Sequence, residues 1–170
     1  MKQKLWNVAA LAMAISIVAF ASNGGARPAR AAAQTPDAKA AASVSTAATG
    51  EWHGMWTAPG GWLYEADMQI SAGLADNITA DIHWTLRAAP TAQTAYQGKI
   101  GMTGVEHTKG VFLPGDGVVK MEGVSLDDPN SILGMDKYRL IMSDDGSTLG
   151  GITWDQGAWD ALFMAKRVVK

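Results

Sequence analysis

The chain has 170 residues, contains no cysteine and carries a formal net charge of −2. This length accommodates one domain, and the lack of thiols excludes disulfides, thiolate catalysis and a lipidated cysteine anchor. From residue 50 onward, nine Lys and Arg residues stand against fifteen Asp and Glu, a net charge of −6. That balance disfavours phosphate backbones and anionic lipid, so we expect no nucleic-acid partner.

The N-terminal segment has the layout of a secretory signal peptide. Residues 1–21 combine a short basic head with a nearly uninterrupted apolar run. Cleavage is expected after Ala21 or, alternatively, after Ala33. An uncleaved membrane anchor is disfavoured because Arg27 and Arg30 follow the run on the side that would be translocated. The mature form is therefore predicted to have no stable membrane span and to be exported, periplasmic or secreted.

Residues 22–49 predict a disordered linker. They are rich in alanine, include Pro28 and Pro36, and contain no aromatic side chain. Such a segment cannot bury enough apolar surface to order itself. From Gly50 the sequence changes to short alternating runs separated by turn residues, which assigns residues 50–170 to one all-β domain.

Three strands with strict alternation open this domain. Residues 50–56 place Trp52 and Trp56 on one face of an extended chain. The next two strands each show one apolar and one polar face, as expected for a sheet that is buried on one side. Their predicted inward residues are Trp62, Tyr64, Ala66, Met68 and Ile70 in the second strand, and Ile78, Ala80, Ile82, Trp84 and Leu86 in the third.

The middle of the domain is less regular. Residues 88–103 are predicted to cross one open end of the sheet, and residues 104–113 resume as a strand. The period of that fourth strand is ambiguous, and its register decides whether Glu106 or His107 faces inward. Residues 127–136 are predicted to form a loop at the mouth of the fold, because Asp and Asn beside proline are ordinary turn residues.

The remaining strands complete a barrel. Turn residues separate them, and no convincing amphipathic helix interrupts them. The eighth strand alternates like the first, and pairing between the two would close the sheet and remove its edges. The prediction is an eight-stranded antiparallel up-and-down barrel, whose interior is filled by side chains or holds one small ligand. The last four strands are predicted at residues 118–126, 137–143, 148–154 and 158–167.

The first and last strands of this barrel each carry one residue of a characteristic pair. Gly50-Glu51-Trp52 on the first strand, with Arg167 on the last, resembles the lipocalin and avidin-like (calycin-type) barrels. In lipocalins the tryptophan of strand one packs under an arginine from near the end of the barrel. The resemblance implies that structural role for Trp52 and Arg167. It follows the order of elements and only a few identities, since other lipocalin signature motifs are absent.

Aromatic side chains are the candidate ligand-binding residues. Tryptophan and tyrosine combine a large apolar area with a polar group, so they can stack on a flat ligand inside a cavity. Small inward residues could leave space between them. The alternative is that the aromatics simply fill the barrel. The predicted binding residues are Trp56, Tyr64, Trp84, Tyr138 and Trp159, and the small residues are Gly54, Ala66, Ala80, Gly151 and Ala161.

Metal and catalytic sites have little support. His53, His83 and His107 lack the spacing of a ligand set, and no metal or other cofactor is predicted. No Gly-x-Ser-x-Gly elbow occurs, so no catalytic residue and no enzymatic activity are predicted. If Glu106 faces inward, a buried ion pair with Arg167 is expected, and such pairs are more often structural than catalytic.

The predicted function follows from these elements. An outer-membrane barrel is disfavoured because the outward faces of the second and third strands carry Glu65, Asp67, Asp81 and Arg87. The favoured hypothesis is an exported barrel that binds a small apolar or aromatic ligand in its interior. The alternative is a ligand-free barrel that acts as an accessory or inhibitory module for another envelope protein.

Overall fold

The structure, a computed structural model, describes residues 47–155 and 160–169. Within these ranges, the runs of alternating apolar and polar residues form paired strands. Each strand pairs antiparallel with the next, and the eighth pairs with the first. This closed up-and-down barrel confirms the predicted fold. The strands are β1 (Gly50–Ala58), β2 (Trp62–Ala72), β3 (Asn77–Ala88), β4 (Thr103–Leu113), β5 (Val118–Asp127), β6 (Lys137–Met142), β7 (Thr148–Trp154) and β8 (Asp160–Arg167).

The β1–β8 seam brings Trp52 opposite Arg167. The guanidinium carbon of Arg167 lies 4.2 Å from the centroid of the Trp52 ring, whose side chain is buried. The Trp52 Nε1–H donates to the carbonyl of Ala48 at 3.1 Å, and Arg167 donates to the carbonyls of Thr49 and Gly146. The residues immediately before β1, which end the predicted linker, therefore pack against this end of the barrel.

The fourth strand turns Glu106 inward and His107 outward. Glu106 is 1% exposed, whereas the His107 ring lies on the outer face, where it hydrogen-bonds to Asp81. The pairing with β5 shifts between His107 and Thr108, which marks a β-bulge at this point. The sequence left the register of this strand open, and the structure has the register that places the Glu106 carboxyl group inside the barrel.

One short helix lies in the segment between β3 and β4. Helix α1 (Thr94–Gln97) is a single turn that the sequence did not predict. Its Tyr96 packs edge-on against Trp62 with ring centroids 4.8 Å apart. The segment therefore covers one end of the barrel, as expected. No helix in the described ranges is long and apolar enough to span a membrane.

Two of the small inward residues, Gly54 and Gly151, leave no room for a larger side chain. A Cβ atom built on Gly54 would lie 2.3 Å from the carbonyl oxygen of Met164. One built on Gly151 would lie 2.1 Å from the carbonyl oxygen of Arg139. Neighbouring backbone already occupies this space, because the glycines allow the strands to approach closely.

Candidate functional site

A cavity of about 260 Å³ lies at the barrel end where the β1–β2, β3–β4 and β5–β6 connections meet. Half of its lining residues are aromatic, and its polar side chains include three carboxyl groups and three tyrosine hydroxyls. Pockets that hold ligands combine apolar walls with a few fixed polar groups in this way. The lining residues are Trp56, Trp62, Tyr64, Trp84, Tyr96, Glu106, Ile132, Leu133, Gly134, Asp136, Tyr138 and Asp155.

Four of the five predicted binding residues meet in this wall. Trp56, Tyr64, Trp84 and Tyr138 come from β1, β2, β3 and β6 and all line the cavity. The fifth, Trp159, lies outside the described residues. They meet because each of them occupies an inward-facing position on its own strand. That they bind a ligand stays a prediction.

The aromatic rings support one another edge to face. Trp56 and Tyr64 have ring centroids 5.5 Å apart at 84°, and Tyr64 and Trp84 are 6.1 Å apart at 82°. This geometry places the positive edge of one ring against the negative face of the next. The rings are therefore held in fixed orientations around the cavity.

Glu106 provides a buried carboxyl group in the cavity wall. Its Oε2 accepts hydrogen bonds from the Tyr138 hydroxyl and from Trp84 Nε1–H at 3.3 Å, and its Oε1 accepts the backbone N–H of Asp136 at 3.0 Å. Burial raises the pKa of Glu106 to about 7, although these donors oppose the shift. The expected ion pair with Arg167 was wrong, because Arg167 packs on Trp52 at the other end of the barrel.

A second carboxyl group, Asp136, lies beside Trp56. Asp136 Oδ2 accepts hydrogen bonds from Trp56 Nε1–H at 3.1 Å and from the Thr153 hydroxyl at 2.9 Å. Burial raises its pKa, and the two donors lower it in part. Asp136 thus joins β1, β7 and the β5–β6 connection at the cavity.

The β5–β6 connection covers the cavity as an ordered loop. Asp128 Oδ2 accepts the backbone N–H groups of Ile132 and Leu133, each at 2.7 Å. The Tyr64 hydroxyl donates to the carbonyl of Ile132 at 2.6 Å, and the Ile132 side chain is buried. These bonds tie the loop both to itself and to the barrel wall, so the cavity has a defined rim.

Several lining residues were missed from the sequence. Trp62 was placed on the inward face of its strand but was not assigned to the site. Asp136 shares the parity of Tyr138 two positions later, and that alternation could have placed it inward. Tyr96 had no comparable signal, because it lies in a connecting segment whose path depends on what it packs against.

The three histidines lie on the outer face of the barrel and away from the cavity. His53 Nδ1 is 2.7 Å from Asp67 Oδ1, and His107 Nδ1 is 2.7 Å from Asp81 Oδ1. The hydrogen bond with Asp81 raises the pKa of His107. Within residues 47–155 and 160–169, no three His, Cys, Asp or Glu side chains converge so as to hold a metal ion.

Comparison with known proteins gives relatives in structure only. No family of known sequences and no curated protein matches the chain. Among solved structures, a redesigned β-barrel, mFAP0, bound to DFHBI superposes with a TM-score of 0.53 at 10% identity, over 71% of this chain and 99% of that one. A redesigned β-barrel, mFAP1, also bound to DFHBI, gives 0.54 at 9% identity over 73% and 98%.

A third structure, EF1p2_mFAP2b bound to DFHBI, gives a TM-score of 0.54 at 10% identity over 74% of this chain and 97% of that one. At such low identity the likeness concerns the fold. It confirms the predicted resemblance to calycin-type barrels at that level.

Proposed function

We propose that this protein binds a small aromatic ligand in the cavity at the end of its barrel. The observation that carries the proposal is the convergence of six aromatic side chains, from four strands and the β3–β4 connection, around one space of about 260 Å³. A core that served packing alone would fill that space, since protein interiors leave few voids larger than a water molecule. The volume lies just below the range of drug-sized pockets, which favours a small ligand.

The structural neighbours support the ligand class. All three are barrels of this fold bound to DFHBI, a small aromatic ligand. Their sequences differ almost completely from this chain, so they indicate only that a barrel of this fold can accommodate a small aromatic molecule. The natural ligand must therefore be inferred from the cavity of this protein.

The proposal is tested by titrating the full chain with DFHBI and with indole. Binding is expected to quench tryptophan fluorescence, to saturate at one ligand per chain and to raise the melting temperature. A ligand at 100 times its Kd adds about 2.7 kcal/mol to the free energy of unfolding, because it binds only the folded state. Native mass spectrometry of protein purified gently from its source would also detect a ligand that is already bound.

Two tryptophan variants locate the site. Trp56→Ala removes a wall of the cavity and is expected to weaken binding at least tenfold. Trp154→Ala is the matched control, because Trp154 follows the buried Thr153 on β7 and does not line the cavity. The assignment to this cavity fails if both variants weaken binding equally, and the proposal fails if no small aromatic ligand, DFHBI and indole included, binds.

The proposal includes export of the protein. Residues 1–21 support it through their basic head and apolar run. Amino-terminal sequencing of the protein isolated from its source cells is expected to begin after Ala21 or Ala33. A mature protein that begins at Met1 and stays in the cytoplasm would contradict export without affecting the ligand proposal.

A second candidate function, a surface module for another protein, is favoured by an apolar strip on the outside of the barrel. Leu162 on β8 is 60% exposed and lies opposite the exposed Ile152, and Met164 is 70% exposed and lies opposite Met55. Charged residues occupy the outer faces of β2 and β3 instead. Exposed apolar side chains that are contiguous commonly mark a protein contact.

The surface candidate is tested most directly with a second copy of the chain as partner. Sedimentation velocity of the full chain over a wide concentration range is expected to show dimers, and Leu162→Lys should abolish them. Lys166→Glu on the same outer face is the charge-changing control. A monomer at all concentrations would remove self-association as the use of this strip.

A further inference from the structure

We infer that the cavity selects a cationic ligand, a small aromatic amine that carries its charge at the carboxylate side of the site. This inference rests on the proposed function and names the ligand class for the same cavity. It comes from the charges of the wall, the aromatic rings that line it and the hydrogen bonds of one carboxylate.

The wall of the cavity is acidic. Glu106, Asp136 and Asp155 all line it, and no lysine, arginine or histidine is among the lining residues that the structure describes. Lys99 lies at the rim, where its Nζ is 5.1 Å from the centroid of Tyr96 and donates to the carbonyl of Ser131. A carboxylate ligand would therefore meet like charge inside the cavity, and an ammonium group would meet opposite charge.

The hydrogen bonds of Asp136 leave an acceptor for the ligand. Both donors that reach its carboxylate from the described residues, Trp56 Nε1–H and the Thr153 hydroxyl, bond to Oδ2. No described donor reaches Oδ1. Because Asp136 lines the cavity, this oxygen can accept a charge-assisted hydrogen bond from an ammonium group, and such bonds are stronger than neutral ones.

Glu106 reinforces the same preference from deeper in the wall. Its three donors come from Tyr138, Trp84 and the backbone of Asp136, and none of them carries a positive charge. The carboxyl group is thus hydrogen-bonded without being neutralised. A bound cation supplies the missing charge and favours the ionised form of Glu106, whose pKa burial raises to about 7.

The aromatic rings favour a cation for a second reason. Six aromatic rings line the space, and the face of an aromatic ring carries partial negative charge. Ammonium groups are attracted to the face of an aromatic ring, most strongly when the cation is desolvated. Aromatic walls with acidic groups therefore suit an organic amine better than a neutral ring or an acid.

The test uses three ligands of nearly equal size that differ in charge: phenethylamine, 2-phenylethanol and phenylacetate. Each is titrated into the full chain at pH 8, above the raised pKa of Glu106, and binding is followed by calorimetry. We expect phenethylamine to bind at least tenfold more tightly than 2-phenylethanol, and phenylacetate to bind at least tenfold more weakly than 2-phenylethanol.

Asp136→Asn is the decisive variant. It is expected to reduce the preference for phenethylamine over 2-phenylethanol to threefold or less, while 2-phenylethanol still binds within about threefold of its original affinity. Retained binding of the neutral ligand shows that the variant is folded. Asp144→Asn removes the same charge from the exposed β6–β7 turn at the opposite end of the barrel, and should leave the preference unchanged.

The outcomes separate the two proposals. If 2-phenylethanol and phenylacetate bind as tightly as phenethylamine, the charge preference is overturned and the proposed ligand-binding function stands. If Asp136→Asn and Asp144→Asn reduce the preference equally, the general negative charge of the protein explains it, and the assignment to Asp136 is wrong. If none of the three ligands binds and DFHBI and indole also fail, the proposed function falls together with its ligand class.

Discussion

Glu106 is the residue at which burial and chemistry meet most clearly. It is buried among neutral donors from three different segments, and its environment favours the protonated form. A carboxyl group in this setting is usually either paired with a cation or part of a site. Arg167 lies at the opposite end of the barrel, and none of the three described donors to Glu106 carries a positive charge.

Glu106 predicts a pH-dependent stability. Its pKa rises from 4.5 to about 7 in the folded protein, so between these values the folded state binds a proton that the unfolded state has lost. The stabilisation is fully present below pH 4.5 and is lost as pH rises through 7, for a total of about 3 kcal/mol. Urea unfolding at pH 5 and pH 8 should show this loss in the wild type relative to Glu106→Gln.

The comparison between the two proteins isolates Glu106, because other groups titrate in both. Asp136→Asn is a second comparison, because burial also raises the pKa of Asp136. The ionisation of Asp136 therefore lowers the free energy of unfolding as pH rises, as that of Glu106 does. If the free energies of unfolding of the wild type and Glu106→Gln differ by the same amount at both pH values, Glu106 does not titrate between them.

Arg167 offers a second prediction at the scale of one residue. Its guanidinium packs on Trp52 and donates to the carbonyls of Thr49 and Gly146. Lysine cannot reproduce this geometry. Arg167→Lys is expected to lower the free energy of unfolding by about 1–3 kcal/mol. Lys166→Ala, on the outward face beside it, should change that value by less than about 0.5 kcal/mol, and an equal effect of both would contradict this role.

At the scale of elements, glycines decide how closely the strands approach. Gly150 and Gly151 are neighbours on β7, yet their surroundings differ. A Cβ on Gly151 would lie 2.1 Å from the backbone oxygen of Arg139, whereas the nearest atom to a Cβ on Gly150 is 3.8 Å away. The first distance requires the β6 backbone to move, and the second is ordinary van der Waals contact.

This difference predicts opposite outcomes for two single-methyl changes. Gly151→Ala is expected to destabilise the protein by about 1–3 kcal/mol, the usual result of forcing extra volume into packed surroundings. Gly150→Ala is expected to be neutral within about 0.5 kcal/mol. Chemical denaturation measures both, and similar values for the two variants would show that β6 and β7 are less tightly apposed than described.

At the scale of the whole molecule, stability depends on closing the sheet. β8 is hydrogen-bonded to β1 on one side and to β7 on the other, and it contributes Phe163 to the aromatic cluster through Trp84. Closure removes both edges of the sheet. The seam joins the two ends of the domain in sequence, so it can form only after a long loop has closed.

Loss of β8 should therefore affect the entire barrel. A chain that ends at Trp154 is expected to lose its cooperative thermal transition and to aggregate, because β1 and β7 would become open edges. A chain that ends at Val168 keeps β8 and the Val168 N–H bond to Glu51, and should melt like the full chain. Circular dichroism and size-exclusion chromatography measure both, and a folded, monomeric chain without β8 would contradict the importance of closure.

The eight strands, their order and most of their inward faces could be predicted from the sequence. Alternation is a local property with a period of two, so it reports which side chains share a face without reference to distant residues. Trp56, Tyr64, Trp84 and Tyr138 could be grouped for that reason, and the pairing of the first and last strands could be expected. The pair Trp52 and Arg167 was predicted through its resemblance to known barrels.

Tertiary contacts determine the register of β4, the partners of Glu106 and the course of the connections. Glu106 receives its donors from β3, β6 and a loop, and no local pattern links those positions. Tyr96 reaches the cavity because its connecting segment packs on Trp62. Such contacts depend on the three-dimensional course of the chain, since a loop takes its conformation from what it packs against and a sequence period exists only within a strand.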